Sequence, residues 1–425
     1  MRALGLALVA VLSACGLRSV ESGATALPAR SASAPASVSA APWEPAAAPT
    51  PVSAFAEAGT IEFDDQGKRW RYDGATGAVT EVRTRPAAVP DDAPAWDVAS
   101  DGTVAYTDAS YVLHIAGRTA LPGSSVVGLH WSPDGELALE LATPGEGPGP
   151  PGRWLPGTLV TFDPRTGAQT VVYRAPPLDP KLFEGKGPPP PWSHETYYFA
   201  GWSPDSRFVA LWRVDLVSGS IDADGRELLV VDRLARSPRT ATLGRTLLYR
   251  EWLAWRAPHT LAFVAGASRF TTELKTLSLW SPESGVRPLT GEDESAIGPA
   301  WGTDGWLWFT AGPRGSYDPV AFFHGTGVGG RRLYRLDPAT RVRVELPSAA
   351  GYVQHAALPS RDGRRYLELR EPAVTWTADE IARRALDRCE LWYVDGSQAR
   401  PLVRLRAACG AFYTYVSLAA AAWDR

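Results

Sequence analysis

Six histidines and three cysteines hold most of the reactive chemistry available to these 425 residues. His194 and His324 stand in long Gly/Pro-rich stretches near Glu195 and Asp318, and His355 lies in an apolar run. Imidazoles beside carboxylates can ligate a metal or relay a proton, but nothing in this spacing demands either. Asp222-Ala223-Asp224-Gly225 repeats a fragment of a calcium loop without the remaining ligands, so it reads as an ordinary turn. The chain contains no Gly-x-Ser-x-Gly elbow, no His-Glu-x-x-His, no Cys-x-x-Cys and no Gly-x-x-x-x-Gly-Lys. No catalytic set, metal or cofactor is therefore expected.

The elements that would position any site are repeats. Trp131-Ser132-Pro133-Asp134-Gly135 and Trp202-Ser203-Pro204-Asp205-Ser206 are two copies of one unit, and weaker copies start at Trp96, Trp255, Trp301 and Leu358. Proline presets φ for a tight turn, aspartate bonds its own backbone, and glycine supplies the positive φ that closes it. Short apolar runs follow each turn, among them Phe208 to Trp212 and Trp306 to Phe309, and read as strands. A second Asp/Pro/Gly cluster comes later in each repeat, as at Asp163-Pro164-Arg165-Thr166-Gly167. Each repeat is thus a four-stranded meander, and its period matches that of a propeller blade.

These motifs resemble TolB-like propeller repeats over most of residues 55–425, a resemblance that implies a fold and is almost silent about activity. The expected fold class is all-β: a seven-bladed β-propeller of four-stranded antiparallel blades, closed by strands from both termini. Complete meanders begin near Ala95, Val126, Tyr198, Glu251, Ile297 and Tyr352. Residues 60–82 supply three outer strands of a further blade, and residues 412–424 supply its inner strand, which removes free sheet edges. Six blades is the alternative count.

Met1-Arg2, an apolar run of about ten residues and Leu12-Ser13-Ala14-Cys15 resemble a bacterial lipoprotein signal; the run is too short to remain as a spanning helix. By that resemblance residues 1–14 are removed, Cys15 is acylated, and multiple acyl chains hold the protein on the membrane. Gly16 rather than aspartate after the cysteine implies the periplasmic face of the outer membrane in a two-membrane bacterium. Residues 15–54, rich in Ala, Pro and Ser, cannot bury a core and read as a disordered tether; residues 55–425 are the propeller domain. A formal charge of -3 and a pI near 6.1 argue against nucleic acid. A monomer is expected.

Long insertions at residues 143–157, 176–195, 213–225, 312–330 and 371–388 all fall on one face of such a ring, the face opposite the tight hairpins. Function in repeat folds concentrates where such insertions lie. The candidate binding rim is Trp154, Trp192, His194, Tyr197, Tyr317, Phe322, His324 and Trp376, because exposed rings give contact area at small entropic cost. The expected function is binding or scaffolding of a protein or cell-envelope partner. The alternative is a propeller-only hydrolase or lyase with its site at the channel mouth. Cys389 and Cys409 flank a hairpin turning near Gly396, so a disulfide is expected outside the cytoplasm, with two buried free thiols as the other reading.

If Cys15 carries the anchor, Cys15→Ser removes the only thiol the signal can use. The variant should leave the detergent phase, and its mass should lack the acyl increment; unchanged partitioning and mass would exclude a lipoprotein.

Overall fold

The computed structural model describes residues 48–65, 67–121, 125–142, 155–179, 181, 194–214, 225–235, 239–267, 275–314, 331–373, 389–406, 409 and 416–417. All belong to one compact unit that starts at Ala46. They form seven antiparallel sheets, six four-stranded and one five-stranded. Blade 2 contains Trp96–Val98, Val104–Thr107, Leu113–Ile115 and Arg118–Leu121. Blade 3 contains Val126–Trp131, Leu137–Ala142, Pro156–Phe162 and Gln169–Arg174. Blade 4 contains Thr196–Trp202, Phe208–Val214, Arg226–Asp232 and Arg239–Thr246. Blade 5 contains Leu253–Arg256, Thr260–Ala265, Thr276–Ser281 and Gly285–Pro288; blade 6 contains Glu294–Trp301, Leu307–Pro313, Arg332–Leu336 and Arg343–Glu345.

Blade 1 joins the two chain ends. Its strands Thr60–Asp65, Lys68–Asp73 and Val79–Glu81 are completed by Val416–Ser417, with Asp65 opposite Val416 and Asp64 opposite Ser417. The expected closure from both termini is therefore present, and the count is seven. Blade 7 holds Tyr352–Pro359, Arg365–Pro372, Glu390–Asp395 and Gln398–Arg404. It also gains an outer strand that the sequence reading had placed in the tether. Thr50–Pro51 pairs with Arg404 and Val403, and Ser53 donates its hydroxyl to the Pro401 carbonyl at 2.6 Å. A proline is tolerated there because an edge strand leaves one side of its backbone unpaired.

Sheets with two apolar faces must pack on both sides, and the second and third strands show it. Phe208–Val214 and Arg226–Asp232 are buried almost throughout, whereas the outer strand Arg239–Thr246 is largely exposed. Six apolar clusters lie between successive blades, one each at the junctions 2/3, 3/4, 4/5, 5/6, 6/7 and 7/1. Phe263 is wholly buried at the 4/5 junction, and a side chain of that kind contributes roughly 2–3 kcal/mol. First strands of neighbouring blades touch around the axis, as Glu294–Trp301 does with Tyr352–Pro359. Gly298 is needed in that crowding: its φ is 65°, and a β-carbon would stand 3.2 Å from the His355 carbonyl oxygen.

The repeated turn residues tie each hairpin to itself and to the next. Ser203 and Ser360 each donate a hydroxyl hydrogen bond to the turn aspartate two residues on, Asp205 and Asp362, at 2.6 Å. The Asp134 amide donates to Ser206 Oγ of the following blade, 3.0 Å away. Ser206 replaces the usual glycine and takes φ 58°, so its left-handed strain is offset by that bond. Asp205 in turn meets His259 of blade 5 at 2.8 Å. Cys389 and Cys409 form the expected disulfide, with α-carbons 5.0 Å apart and both residues fully buried. Among the described residues no helix is long and apolar enough to cross a membrane.

Reducing the bridge, or replacing Cys409 by serine, should cost about 3 kcal/mol on the chain-entropy account of a loop of this length. The check is a lower denaturant midpoint; an unchanged midpoint would show that the bridge adds nothing to stability.

Candidate functional site

Cys15, Trp154, Trp192, Tyr317, Phe322, His324 and Trp376 lie outside the described residues. Tyr197, expected on an exposed rim, is instead fully buried. It belongs to the inner strand Thr196–Trp202, where period-two alternation turns it into the apolar cluster between blades 3 and 4, edge-on to Tyr173 at 5.4 Å. Burial drives its phenol far above the usual range. His194 is also mostly buried, bridging to Pro177 and hydrogen-bonded through Nδ1 to the Glu195 carbonyl.

His355 does not come together with His194. It is buried in blade 7 with Nε2 3.4 Å from Glu371. Desolvation, aided by the positive charge of Arg331, pushes its imidazole down to about 3, so it stays neutral at physiological pH. Among the described residues no group of three His, Cys, Asp or Glu side chains converges as a metal site.

The structure directs attention to the junction of blades 1 and 2, which has no apolar cluster among the described residues. Alternation along Thr60–Asp65 sends Ile61 and Phe63 toward blade 7 and leaves Glu62 and Asp64 on the opposite face. Arg71 pairs with Glu62 at 2.6 Å, and Arg69 grips Asp64 with two bonds of 3.0 and 3.3 Å. Blade 2 is small, with strands of three or four residues, so it does not fill the space beside these ion pairs.

The result is a cavity of about 680 Å³ lined by Glu62, Asp64, Arg69, Trp96, Asp97 and Glu251, with Val82, Thr84 and Val98 completing the wall. Glu251 comes from a single-turn 3-10 segment, Arg250–Trp252, that leads into blade 5. Blade 5 lies across the ring from blades 1 and 2, so a cavity touching all three sits at the axis. Its lining comes from the 2–3 turn of blade 1, the link from blade 1 to blade 2, and the entries to the inner strands of blades 2 and 5. It therefore opens on the insertion-bearing face.

Four carboxylates face one guanidinium in this space. Asp97 is fixed by two backbone amides, Val98 at 2.8 Å and Trp131 at 2.7 Å. Glu251 is deep in the ring but retains some solvent contact. Desolvation raises its carboxyl to about 7, opposed by its own backbone hydrogen bond and by the charge of Arg250. Such a group can hold or release a proton near neutrality. Sequence reading passed over Glu251 because the ring, not local spacing, brings it opposite Asp97. The alternation Thr-Ile-Glu-Phe-Asp-Asp was the available signal for Glu62 and Asp64.

No protein-family profile matches the chain, and no curated protein matches it in sequence. Solved structures do match its fold. A protein described as TolB from Agrobacterium tumefaciens is 12% identical, covers 86% of this chain and 97% of its own, and superposes with a TM-score of 0.37. Dipeptidyl peptidase 4 of Porphyromonas gingivalis is 12% identical over 79% of this chain, with a TM-score of 0.44; the chain spans 48% of that peptidase. An oligogalacturonate lyase in complex with manganese is 14% identical, covering 84% of this chain and 98% of its own, at 0.34. These values describe a shared fold and carry nothing about activity.

The raised Glu251 carboxyl makes stability depend on pH. The folded state holds the proton after the unfolded state has lost it, so stability is complete below about pH 4.5, falls as pH rises, and levels above about 7. Glu251→Gln should remove that fall, stabilising the protein by about 1–3 kcal/mol above neutrality and leaving acidic conditions unchanged. Parallel denaturation curves of the two proteins across pH check this; an identical pH profile would show Glu251 to be ordinarily solvated.

Proposed function

We propose that the chain is a lipid-anchored, extracytoplasmic β-propeller that binds a protein or cell-envelope partner through its insertion-bearing face. The observation that carries this reading is the axial cavity, which opens on that face and is lined by carboxylates already held by arginine or backbone amides. Fixed charge around a preformed hollow suits recognition, because little has to reorganise on binding. The anchor at Cys15 places the ring outside the membrane, on the periplasmic face of the outer membrane where there are two. The segment before Thr50 serves as its tether.

A second reading is favoured by one group. Glu251, with a carboxyl near neutrality, could serve as the general acid or base of a propeller hydrolase or lyase at the same mouth. The two readings differ in what happens to the ligand. A binding module returns it unchanged, whereas an enzyme returns a product whose formation Glu251→Gln abolishes, and mass spectrometry of the recovered ligand separates them.

Photo-crosslinking side chains placed at Thr84 and Ala373 on the insertion-bearing face, and at Asp304 and Ser284 on the hairpin face, test the docking surface in intact envelopes. Adducts should form from the first pair and not from the second. Equal adducts from both faces, or adducts from the hairpin face alone, would overturn the assignment.

A further inference from the structure

We propose that the axial cavity is a receptor site for an organic cation, an ammonium or guanidinium group, with Trp96 and the carboxylates of Glu62, Asp64, Asp97 and Glu251 as its walls. The inference rests on the binding reading above and names the chemistry of what enters.

The state of each carboxylate supports it. Asp64 is occupied on both oxygens by Arg69. Glu62 takes both bonds from Arg71 on Oε1, at 3.0 and 2.6 Å, and among the described residues no bond is made to Oε2. Asp97 spends one acceptor site per oxygen on backbone amides, so it is held rigid and keeps a second lone pair on each. Glu251 lines the same hollow deep in the ring, its carboxyl bonded to its own backbone and near the charge of Arg250. Those contacts only partly offset the cost of burying its ionised form. A bound ammonium adds the remaining favourable charge, and Trp96 in the wall adds an aromatic ring that attracts a cation.

Size and donor arrangement separate an organic cation from a metal ion. About 680 Å³ falls in the range of small-molecule sites, and among the described residues no three ligating side chains converge on a point. The lining balance is four acids to one arginine, so an anion would be repelled and a cation attracted.

Binding should also release a proton, because Glu251 holds one near neutrality when the site is empty. Arg250 on its own segment favours ionisation, and Arg69, Glu62, Asp64 and Asp97 are the charged groups that share the cavity wall with it. Of the strands packed on the segment, Thr260–Ala265 offers no titratable group and Glu294–Trp301 offers Glu294, which is paired with Arg343 at 2.7 Å.

The test is calorimetric titration of the full mature chain near neutral pH, in two buffers that differ in protonation enthalpy. The probes are acetyl-Gly-Lys-Gly-amide, the same peptide acetylated on Nε, and cadaverine. The lysine peptide should bind, Nε-acetylation should weaken it by at least about tenfold, and the apparent enthalpy should differ between buffers. Glu251→Gln should weaken binding comparably and abolish the buffer difference, and Glu62→Gln provides an independent weakening. Cadaverine binding as tightly as the peptide identifies a free amine as sufficient; peptide binding alone identifies a chain-borne cation. Silence with both the peptide and cadaverine, equal affinity for the acetylated peptide, or unchanged affinity in Glu251→Gln overturns the proposal. Crosslinking from Thr84 that survives while these titrations are silent removes the cation inference alone. Cation binding without any insertion-face adduct removes the partner reading alone.

Discussion

The ring depends on one pairing of chain ends, Val416–Ser417 against Thr60–Asp65. A row of twisted sheets can bury both faces of every member only if the first and last meet. Here the meeting is reinforced from three directions. The N-terminal strand Thr50–Pro51 extends blade 7, the apolar cluster between blades 7 and 1 includes Phe63, Tyr72, Leu391 and Leu402, and the Cys389–Cys409 bridge lies inside that same cluster. The Asp65 carboxylate adds a bond to the Arg406 amide at 2.8 Å, just after blade 7 ends. Sequence-distant segments thus close the circle with covalent, apolar and polar contacts together.

Closure also explains where polarity is tolerated. Arg226, Lys275 and Arg331 are buried at one shared position, the start of the third strand in blades 4, 5 and 6, and Cys389 holds that position in blade 7. Backbone groups there reach the next blade: the Lys275 carbonyl accepts from Ala296 at 2.8 Å, and the Pro156 carbonyl of blade 3 accepts from Thr196 Oγ1 at 3.0 Å. Charge is therefore collected at the insertion-bearing ends of the strands. The hairpin ends instead repeat the Ser–Asp turn and pass bonds from blade to blade. One face is built from a repeated solution and the other from individual ones, which is the asymmetry expected where a fold keeps its scaffold and varies its contacts.

Much of the fold was legible because the repeat writes its turns in residues with backbone consequences. Trp-Ser-Pro-Asp-Gly sets a hairpin wherever it occurs, and the apolar runs after it have strand length, so blade number and closure followed from counting. The N-terminal strand escaped notice because Thr50 and Pro51 have no strand-like composition; Ser53 and the free edge of Gln398–Arg404 recruit them. Tyr197 departs from the rim expectation for a related reason. Its neighbours look like loop, but alternation in the strand that begins at Thr196 decides its direction, and that direction is inward.

The site was the least legible feature, since its members belong to three blades and none is special within its own segment. Glu62 and Asp64 look like the solvent face of a strand, Asp97 like a turn residue, and Glu251 like the polar end of a short helix. What changes their meaning is the small size of blade 2. Three-residue strands such as Trp96–Val98 cannot fill the wedge that Leu137–Ala142 or Phe208–Val214 fill elsewhere. The unfilled space exposes the acidic face of blade 1 to the axis and brings it into one hollow with Glu251. A local deficit of apolar packing has thereby become a cavity lined by four carboxylates, and its chemistry follows from the closure that placed its walls around a common axis.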